Sequence, residues 1–445
     1  MMDAEIRTVK RPDGETERLQ TVRLPDWECL EFFRPQPAED PLPGLLRIYR
    51  RFIVPAFPWI FRQMVLLRRP ERAESLSGTA LPEDDEASLL QAAAVLRKGM
   101  RLVHGRPRFR TDEARLLWEE LSAAGRLSTA GGKLPMTQII PVSENMGFLS
   151  ESKPEAVLKL NASFFIMDPF DCASPYDSVG TPFGLCVRNG KILSPPLYER
   201  EALLVRANGQ VRVEKPPLSS LTIEIGGKTF EAGRNADILT RPACSRTAHG
   251  KGAEAVIIGR KVSAVSRDGG LAVPAAGFVL RSPALADVSA GAEVRYHGLE
   301  DVIFGIQAGS SLLRNGVRSG GFLSPFYNVR SLKRTAFPPS LYPLDYEKDR
   351  AARIALGADK EGCPVLLWAE GAPKTGARKG VTSCGASLLE TEEYCEKAGM
   401  MNAVNLDGGG SAQILLHGRR ELELSDRKED GTGQERPVPL GLIVR

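Results

Sequence analysis

The sequence predicts an α+β protein in which a smaller, mostly helical N-terminal region precedes a β-rich region with a mixed sheet and few helices. Apolar residues three and four apart mark the first region, whereas short apolar or alternating runs separated by glycine, proline and asparagine mark the second. At 445 residues the chain is too long for one compact core. We therefore divide it into residues 1–132, of unassigned role, and residues 133–445, where we expect the functional site.

Two segments of the first region have the apolar spacing of amphipathic helices. They are EASLLQAAAVLRKGMRLVHG, residues 86–105, and TDEARLLWEELSAAGRL, residues 111–127. Thr111 stands where a helix N-cap belongs, with Asp112 and Glu113 in the first turn. We expect both segments to be helical.

A third segment of this region, residues 44–72, interleaves aromatic side chains with seven arginines and one acid. This pattern is typical of a segment that lies on an anionic membrane surface. Pro55 and Pro58 interrupt a single helix. The alternative is an arm that packs its aromatic rings on the main domain and leaves its arginines solvated.

From about residue 133 onward, turn residues separate the apolar runs at short intervals. Arg-Asn-Gly at 188–190, Ala-Asn-Gly at 207–209 and Ile-Gly-Gly at 225–227 are typical of hairpin turns that need positive φ. One helix is predicted late, in LLETEEYCEKAGM, with Gly399 as its C-terminal glycine. Residues 318–350 are aromatic, basic and proline-rich without a clean period, so we expect a long loop or lid there.

Charge and composition exclude several classes of function. The 59 basic and 55 acidic side chains leave a formal charge of +4, too small a basic excess for a nucleic-acid partner. Seven cysteines without a C-x-x-C pair indicate neither a zinc site nor a disulfide framework. The N-terminus is polar and no apolar run reaches the length of a membrane span, so we expect a cytoplasmic protein.

The stretch NLDGGGSAQILL, residues 405–416, places one carboxylate directly before three glycines and a serine. Apolar runs on both sides read as strands, so the glycines are predicted to form a turn at a strand end. Glycines allow close backbone approach to a ligand and turn N–H groups toward an anion, with Asp407 held at the rim. A tight hairpin with a turn-favouring aspartate is the alternative.

These residues resemble the signature of the phosphodiester glycosidase family, and other segments agree with that family in order from about residue 133 to 445. The similar segments are LKLNASFF at 158–165, TPFGLCVRNGKIL at 181–193, GIQAGSSLLRNG at 305–316, ARIALGADKEGCPVLLWAEG at 352–371 and the run from Thr382 to Ser411. The resemblance implies a β-rich catalytic domain. It also implies cleavage of the glycosidic bond in a sugar 1-phosphodiester similar to a GlcNAc-1-phosphodiester.

Such a substrate carries its own good leaving group, a phosphate monoester. A pair of carboxylates, as ordinary glycosidases use, is then unnecessary, and one carboxylate plus a cation for the phosphate suffices. We predict Asp407 as the carboxylate, acting as a base on water or as a stabiliser of the oxocarbenium-like centre. Arg353 is predicted to bind the phosphoryl oxygens in a two-pronged geometry; the alternative is a surface arginine on a strand.

The resemblance and the local chemistry point to further site residues. Asn161, in an otherwise apolar strand, is predicted to bond ligand or backbone, because a buried amide without a partner is costly. Glu370 follows an apolar strand and is a candidate second carboxylate, metal ligand or plain turn acid. The remaining candidates offer hydroxyl or backbone donors to a phosphate or a sugar hydroxyl: Ser383, Gly385, Gly408, Gly409, Gly410 and Ser411.

Three alternatives stay open. Ser383 has the alternative of capping the following helix. Asp407 and Glu370, as hard oxygen ligands, suit a Ca²⁺ or Mg²⁺ ion, and the alternative is a site without a cofactor. A non-catalytic carbohydrate or cell-envelope binding module with the same fold is the competing function, because a fold does not fix an activity.

Overall fold

A computed structural model of the chain describes residues 3–36, 100–103, 106–112, 115, 146–166, 174, 176–177, 180–182, 184–198, 200–241, 243–244, 246–320, 350–373, 376–428 and 430–445.

Within these residues the chain is built mainly from short strands. The strands, in chain order, are β1 (Asp3–Lys10), β2 (Thr16–Arg23), β3 (Leu30–Phe33), β4 (Met100–Val103), β5 (Arg106–Phe109), β6 (Leu158–Asn161), β7 (Cys186–Arg188), β8 (Lys191–Ser194), β9 (Ala202–Arg206), β10 (Val211–Glu214), β11 (Thr222–Ile225), β12 (Lys228–Glu231), β13 (Asp237–Leu239), β14 (Glu254–Ile258), β15 (Lys261–Ser266), β16 (Gly277–Arg281), β17 (Val294–His297), β18 (Val302–Gln307), β19 (Ser311–Arg314), β20 (Val317–Arg318), β21 (Arg353–Asp359), β22 (Pro364–Ala369), β23 (Met400–Asn405), β24 (Ile414–Leu416) and β25 (Gly441–Val444). One α-helix, α1 (Leu388–Lys397), and 3₁₀ turns at Leu218–Ser220, Pro283–Leu285 and Gly409–Ser411 complete the described elements.

The strands form a seven-stranded sheet in the order β1-β2-β22-β21-β23-β19-β20 and five smaller sheets. The smaller sheets are β10-β9-β18-β7-β8, β13-β16-β14-β15, β24-β6-β25-β3, β12-β11-β17 and β4-β5. Every pairing between these named strands is antiparallel, so the predicted mixed sheet is wrong. A parallel pair needs a long crossover, usually a helix, and α1 is the one α-helix described from end to end.

The centre of the seven-stranded sheet is buried on both faces. β21 and β22 are apolar runs without alternation, as expected for strands covered on two sides. On one face Ile354 and Trp368 join the largest apolar core, and on the other Ala355 and Leu367 pack with α1. Side chains on the two faces therefore meet different surroundings, which decides where each candidate site residue points.

The structure corrects the expectation of a mostly helical N-terminal region. β1 and β2 extend the seven-stranded sheet beside β22, and β3 pairs with β25. Met100–Val103, placed by the apolar spacing at the end of the first helix, instead pairs with β5. Edge pairing supplies backbone hydrogen bonds and burial that outweigh local preference, because strand formation depends strongly on tertiary context.

Part of the N-terminal prediction lies outside the described residues. This holds for 44–72, for most of the two predicted helices and for nearly all of 318–350. In the second helical segment Arg115 N–H donates to Thr111 O over 3.3 Å, as at the start of a helix. No helix among the described ranges combines the length and apolar character needed to cross a membrane.

The hairpin turns and the late helix predicted for the β-rich region are confirmed. Asn189 and Gly190 turn between β7 and β8 with positive φ, and Gly209 does so between β9 and β10. The late helix is α1, capped by Ser387 and followed by Gly399 with φ +80°. Local turn chemistry was therefore sufficient to locate these elements.

Replacement of Leu30 by alanine tests whether residues 3–33 belong to this fold. Leu30 is fully buried in β3, within the main core, so we expect the free energy of unfolding to fall by about 2–5 kcal/mol. Ile6→Ala, on the exposed strand β1, is the control and should change it by less than about 0.5 kcal/mol. Urea denaturation measures both, and equal small effects would show that the N-terminal strands are not integral.

Candidate functional site

The candidate residues converge at one end of the seven-stranded sheet. β21 begins at Arg353, while β22 ends at Ala369 and β23 ends at Asn405. Because β21 runs antiparallel to both neighbours, its first residue lies beside their last ones. Arg353, Glu370 and Asp407 therefore reach the same edge of the sheet from distant parts of the chain.

Asp407 comes opposite Arg353 when the register of β21 and β23 is extended past the end of β23. The register that pairs Ala355 with Asn405 continues through a 2.7 Å bond from Leu406 N–H to Ile354 O. Extended by one residue, this register brings Asp407 opposite Arg353, and the chain leaves it directly afterwards, because Gly409 N–H rather than Gly408 N–H donates to Ala352 O. Arg353 is only 5 % exposed, whereas Asp407 is half-buried and therefore accessible.

The three glycines after Asp407 each have a separate steric reason. A Cβ on Gly408 would lie 2.6 Å from Ala352 O and 3.8 Å from Arg353 Cδ, so the turn packs directly on the start of β21. Gly409 has φ +59° and borders open space, which marks the accessible side of the turn. A Cβ on Gly410 would lie 2.1 Å from the Arg436 guanidinium. Close packing on two sides thus leaves one open side.

Backbone hydrogen bonds around this turn alternate along the chain. The N–H groups of Asp407 and Gly409 donate to Ala162 O and Ala352 O, and Ser411 N–H donates to Gly408 O. Within the described ranges the recorded bonds do not use the N–H groups of Gly408 or Gly410. Gly408 is half-buried, whereas Gly410 is buried, so only the Gly408 N–H lies at the rim of the turn, where an anion would be favoured.

Asn161 bonds the two ends of the same turn. Its side-chain amide donates to Asp407 O at 2.6 Å and its carbonyl oxygen accepts from Gln413 N–H at 3.1 Å. Asn161 is fully buried, so these bonds compensate the cost of burying its amide. The structure thus shows the backbone role foreseen as one of two possibilities, and the ligand role stays a prediction.

The Arg353 side chain extends toward the start of α1. Its Nε donates to Ala386 O at 3.2 Å, directly before the cap residue Ser387. Ala386 is held to Ala351 by a pair of backbone bonds of 2.9 and 3.2 Å. A guanidinium and a helix N-terminus in one place both favour a bound anion.

Ser383 and Gly385 hold the segment that leads into α1. Ser383 Oγ donates to Glu370 O at 2.6 Å, and the residue is 1 % exposed. Gly385 has φ +76°, with Ala351 N 3.0 Å from its Cβ position. The helix cap is Ser387, so the alternative that Ser383 caps α1 is wrong.

Glu370 lies on the opposite face of the sheet from Arg353. Ala369 pairs with Arg353 and therefore shares its face, and side chains alternate along a strand. The Glu370 carboxylate accepts from Arg18 Nη1 at 3.0 Å and from Glu423 N–H at 2.8 Å. Burial, the largest cause, raises the pKa of Glu370 above its ordinary value.

This placement bears on the divalent-cation alternative. Asp407 and Glu370 do not share a face, and one Glu370 oxygen already accepts two hydrogen bonds. Among the described residues no group of three or more His, Cys, Asp or Glu side chains is arranged to hold a metal ion. The donor set does not fit a shared cation site, and a catalytic role for Glu370 stays a prediction.

Sequence reasoning missed a second buried carboxyl near this end of the sheet. Glu17 of β2 is fully buried and accepts a 2.7 Å hydrogen bond from Tyr394 OH of α1. Burial raises its pKa to about 7, against the lowering effects of Tyr394, Arg350 and Arg11. No signal in the sequence marked Glu17, because this region was predicted to be helical.

A third group missed from the sequence lies beneath the glycine turn. Asp426 and Arg436 form a buried ion pair there, and Arg436 Nη1 approaches Ser411 Oγ at 3.4 Å. Both residues lie in the irregular stretch between β24 and β25, which has no periodicity to draw attention to them.

Comparison with known proteins identifies the family of this chain. A family model described as phosphodiester glycosidase matches residues 155–445. The chain is 39 % identical over 80 residues to mouse N-acetylglucosamine-1-phosphodiester alpha-N-acetylglucosaminidase, which is 18 % of this chain and 14 % of the mouse protein. For the human protein of that name the identity is 40 % over 80 residues, again 18 % and 14 % of the two chains. The chain thus spans only about 14 % of the length of the curated relatives it matches.

Among solved structures, the zebrafish N-acetylglucosamine-1-phosphodiester alpha-N-acetylglucosaminidase catalytic domain, auto-inhibited by its pro-peptide, aligns with a TM-score of 0.38 and 11 % identity. The alignment covers 100 % of this chain and 83 % of the zebrafish chain.

Asn161→Ala tests the hydrogen bonds that hold the turn. It leaves Asp407 O and Gln413 N–H without their partner in a buried setting, so we expect a loss of about 2–5 kcal/mol in the free energy of unfolding. Asn235→Ala is a matched control, because Asn235 also bonds two backbone groups, at 2.7 and 2.9 Å, but in an exposed turn where water replaces it. Equal losses in urea denaturation would contradict a special role for Asn161.

Glu17→Gln tests the raised pKa. The folded-state pKa of about 7 exceeds the ordinary 4.5, so the stability that Glu17 contributes is full below pH 4.5 and is lost as pH rises through 7. Glutamine does not titrate and therefore removes this loss. The free energy of unfolding of the variant should rise relative to that of wild type with rising pH, by about 3 kcal/mol at most. Urea denaturation from pH 4.5 to 8 measures the gain. Parallel curves for Glu17→Gln and the exposed control Glu155→Gln would refute it.

Proposed function

Because the chain belongs to the phosphodiester glycosidase family, we propose that it hydrolyses the glycosidic bond of a sugar 1-phosphodiester and releases free sugar and a phosphomonoester. One observation carries the proposal: the half-buried carboxylate Asp407 and the buried Arg353 come together at one end of the seven-stranded sheet. The names of the mouse and human relatives make a GlcNAc-1-phosphodiester the first substrate to test.

The reaction breaks the bond between the anomeric carbon and the phosphate oxygen. Its electron pair leaves with the phosphate, a water oxygen bonds to the anomeric carbon, and one water proton is released. Since the phosphomonoester is a good leaving group, no strong general acid is needed, unlike in a glycosidase with two carboxylates. Asp407 takes up the proton from water or stabilises positive charge on the sugar ring; both roles are compatible with its half-buried position at the rim.

Arg353 supplies the charge that the leaving group requires. Arg353 is 5 % exposed, so little water screens its charge, and charge-assisted bonds to phosphoryl oxygens are strengthened in such surroundings. Two further anion-favouring groups support this role: the start of α1, which the Arg353 side chain reaches at Ala386, and the N–H of Gly408, whose Cβ position is 3.8 Å from Arg353 Cδ. Negative charge is therefore stabilised where it develops as the bond breaks.

Asp407→Asn tests the proposal directly. We expect kcat for a GlcNAc-1-phosphodiester to fall about 10²–10⁴-fold with little change in the melting temperature, since the amide keeps the shape but cannot accept a proton. Arg353→Lys should lower kcat/KM at least about tenfold, because lysine keeps the charge and loses the two-pronged contact.

The controls separate chemistry from folding. Asp268→Asn, an exposed acid in a distant hairpin, should retain wild-type rates. Calorimetry with the same substrate panel runs beside the hydrolysis assay. Unchanged turnover in Asp407→Asn removes that residue from the mechanism, and wild-type binding without cleavage across the panel favours the non-catalytic module.

A further inference from the structure

The geometry points to Asp426 and Arg436 as positioning residues: we propose that their buried ion pair fixes the glycine turn so that Asp407 stays opposite Arg353. The inference rests on the proposed function, in which Asp407 and Arg353 act on one substrate. Asp426 and Arg436 lie outside the strands that end at the site. The ion pair therefore acts on Asp407 only through the glycine turn.

The ion pair is two-pronged and almost fully enclosed. Arg436 donates from Nε and Nη2 to Asp426 Oδ2 at 3.0 and 2.9 Å. Asp426 is 1 % exposed and Arg436 8 % exposed. A planar guanidinium held at two atoms on one carboxylate has little rotational freedom, so the pair forms a rigid surface.

The glycine turn packs directly against this ion pair. The Cβ position of Gly410 is 2.1 Å from Arg436 Nη2 and 2.2 Å from Asp426 Oδ2, closer than any side chain permits. Arg436 Nη1 also donates to Ser411 Oγ at 3.4 Å. The backbone three and four residues after Asp407 is therefore held from below by the pair.

Arg436 is also linked to the other support of the turn. Gln413 Nε2 donates to Arg436 O at 3.4 Å, and Gln413 N–H donates to the side chain of Asn161. Asn161 in turn donates to Asp407 O. These hydrogen bonds connect Asp407 to Asn161, Asn161 to Gln413 and Gln413 to Arg436. Arg436 also contacts the turn at Ser411, so the two supports of the turn are linked.

Stability alone is a weak explanation for this pair. Burying two charges costs several kcal/mol per ion, and apolar replacements of the same size are often as stable or more stable. Among the described residues no donor reaches Asp426 Oδ1, although that oxygen is buried as well. A pair retained at such a cost is explained by the position it imposes on the turn, because a displacement near 1 Å at a reacting group can lower a rate about 100-fold.

Arg436→Lys, compared with Arg281→Lys, tests the proposal. Arg281 makes the same two-pronged contact, with Nε and Nη2 donating to Oε1 of the buried Glu254 at 2.8 and 2.6 Å. This pair lies in the sheet β13-β16-β14-β15 and not in the seven-stranded sheet. Both variants keep the charge and lose one prong, so their melting temperatures should fall similarly. We expect Arg436→Lys to lower kcat about 10- to 100-fold with KM within about threefold, and Arg281→Lys to keep kcat within about twofold.

Hydrogen exchange of the peptide covering residues 405–413 provides a readout independent of activity. Arg436→Lys should speed exchange there and Arg281→Lys should not. Asp426→Asn, which keeps the shape of the pair, replaces Arg436→Lys if that variant does not fold, with the same expected results. Equal kcat values for the Arg436 and Arg281 variants, or unchanged exchange at 405–413, overturn the positioning role. If the wild-type protein cleaves no substrate, the proposed function is wrong. Hydrogen exchange at 405–413 is then the test of whether the ion pair holds the turn.

Discussion

The antiparallel register between β21 and the end of β23 is the constraint on which the site depends. It sets Asp407 opposite Arg353, although more than fifty residues separate them in the chain. The bond from Leu406 N–H to Ile354 O carries this register one residue past the end of β23, and the shift of one residue in the next bond, from Gly409 N–H to Ala352 O, marks where the glycine turn leaves it. A slip by one residue would turn either side chain to the other face.

The same sheet edge shows how buried polar groups serve as backbone supports. Asn161 and the Asp426–Arg436 pair are enclosed, and each holds one side of the glycine turn. Such groups are costly when unpaired, so their bonds define the turn's position sharply. Among the described residues Gly409 borders open space, and this is the side from which we propose that a substrate approaches Asp407.

The N-terminal strands contribute more to this edge than the family match indicates. That match begins at residue 155, yet β2 pairs with β22, and β3 pairs with β25. Through β2, Arg18 binds the Glu370 carboxylate and Glu17 reaches Tyr394 of α1. Residues 3–33 therefore complete the sheet at the end where the candidate site lies.

The sequence by itself determined what depends on neighbouring residues: the hairpin turns, the cap and glycine stop of α1, and a glycine turn that isolates Asp407 after an apolar run. These follow from φ preferences and local hydrogen bonds, which a short window contains. It did not determine that residues 3–23 are strands, that Glu370 turns away from Arg353, or that Asp426 and Arg436 lie beneath Gly410. Only the tertiary structure decided these, because strand pairing and burial depend on partners hundreds of residues away, and a side chain's face is fixed by a register that no local pattern records.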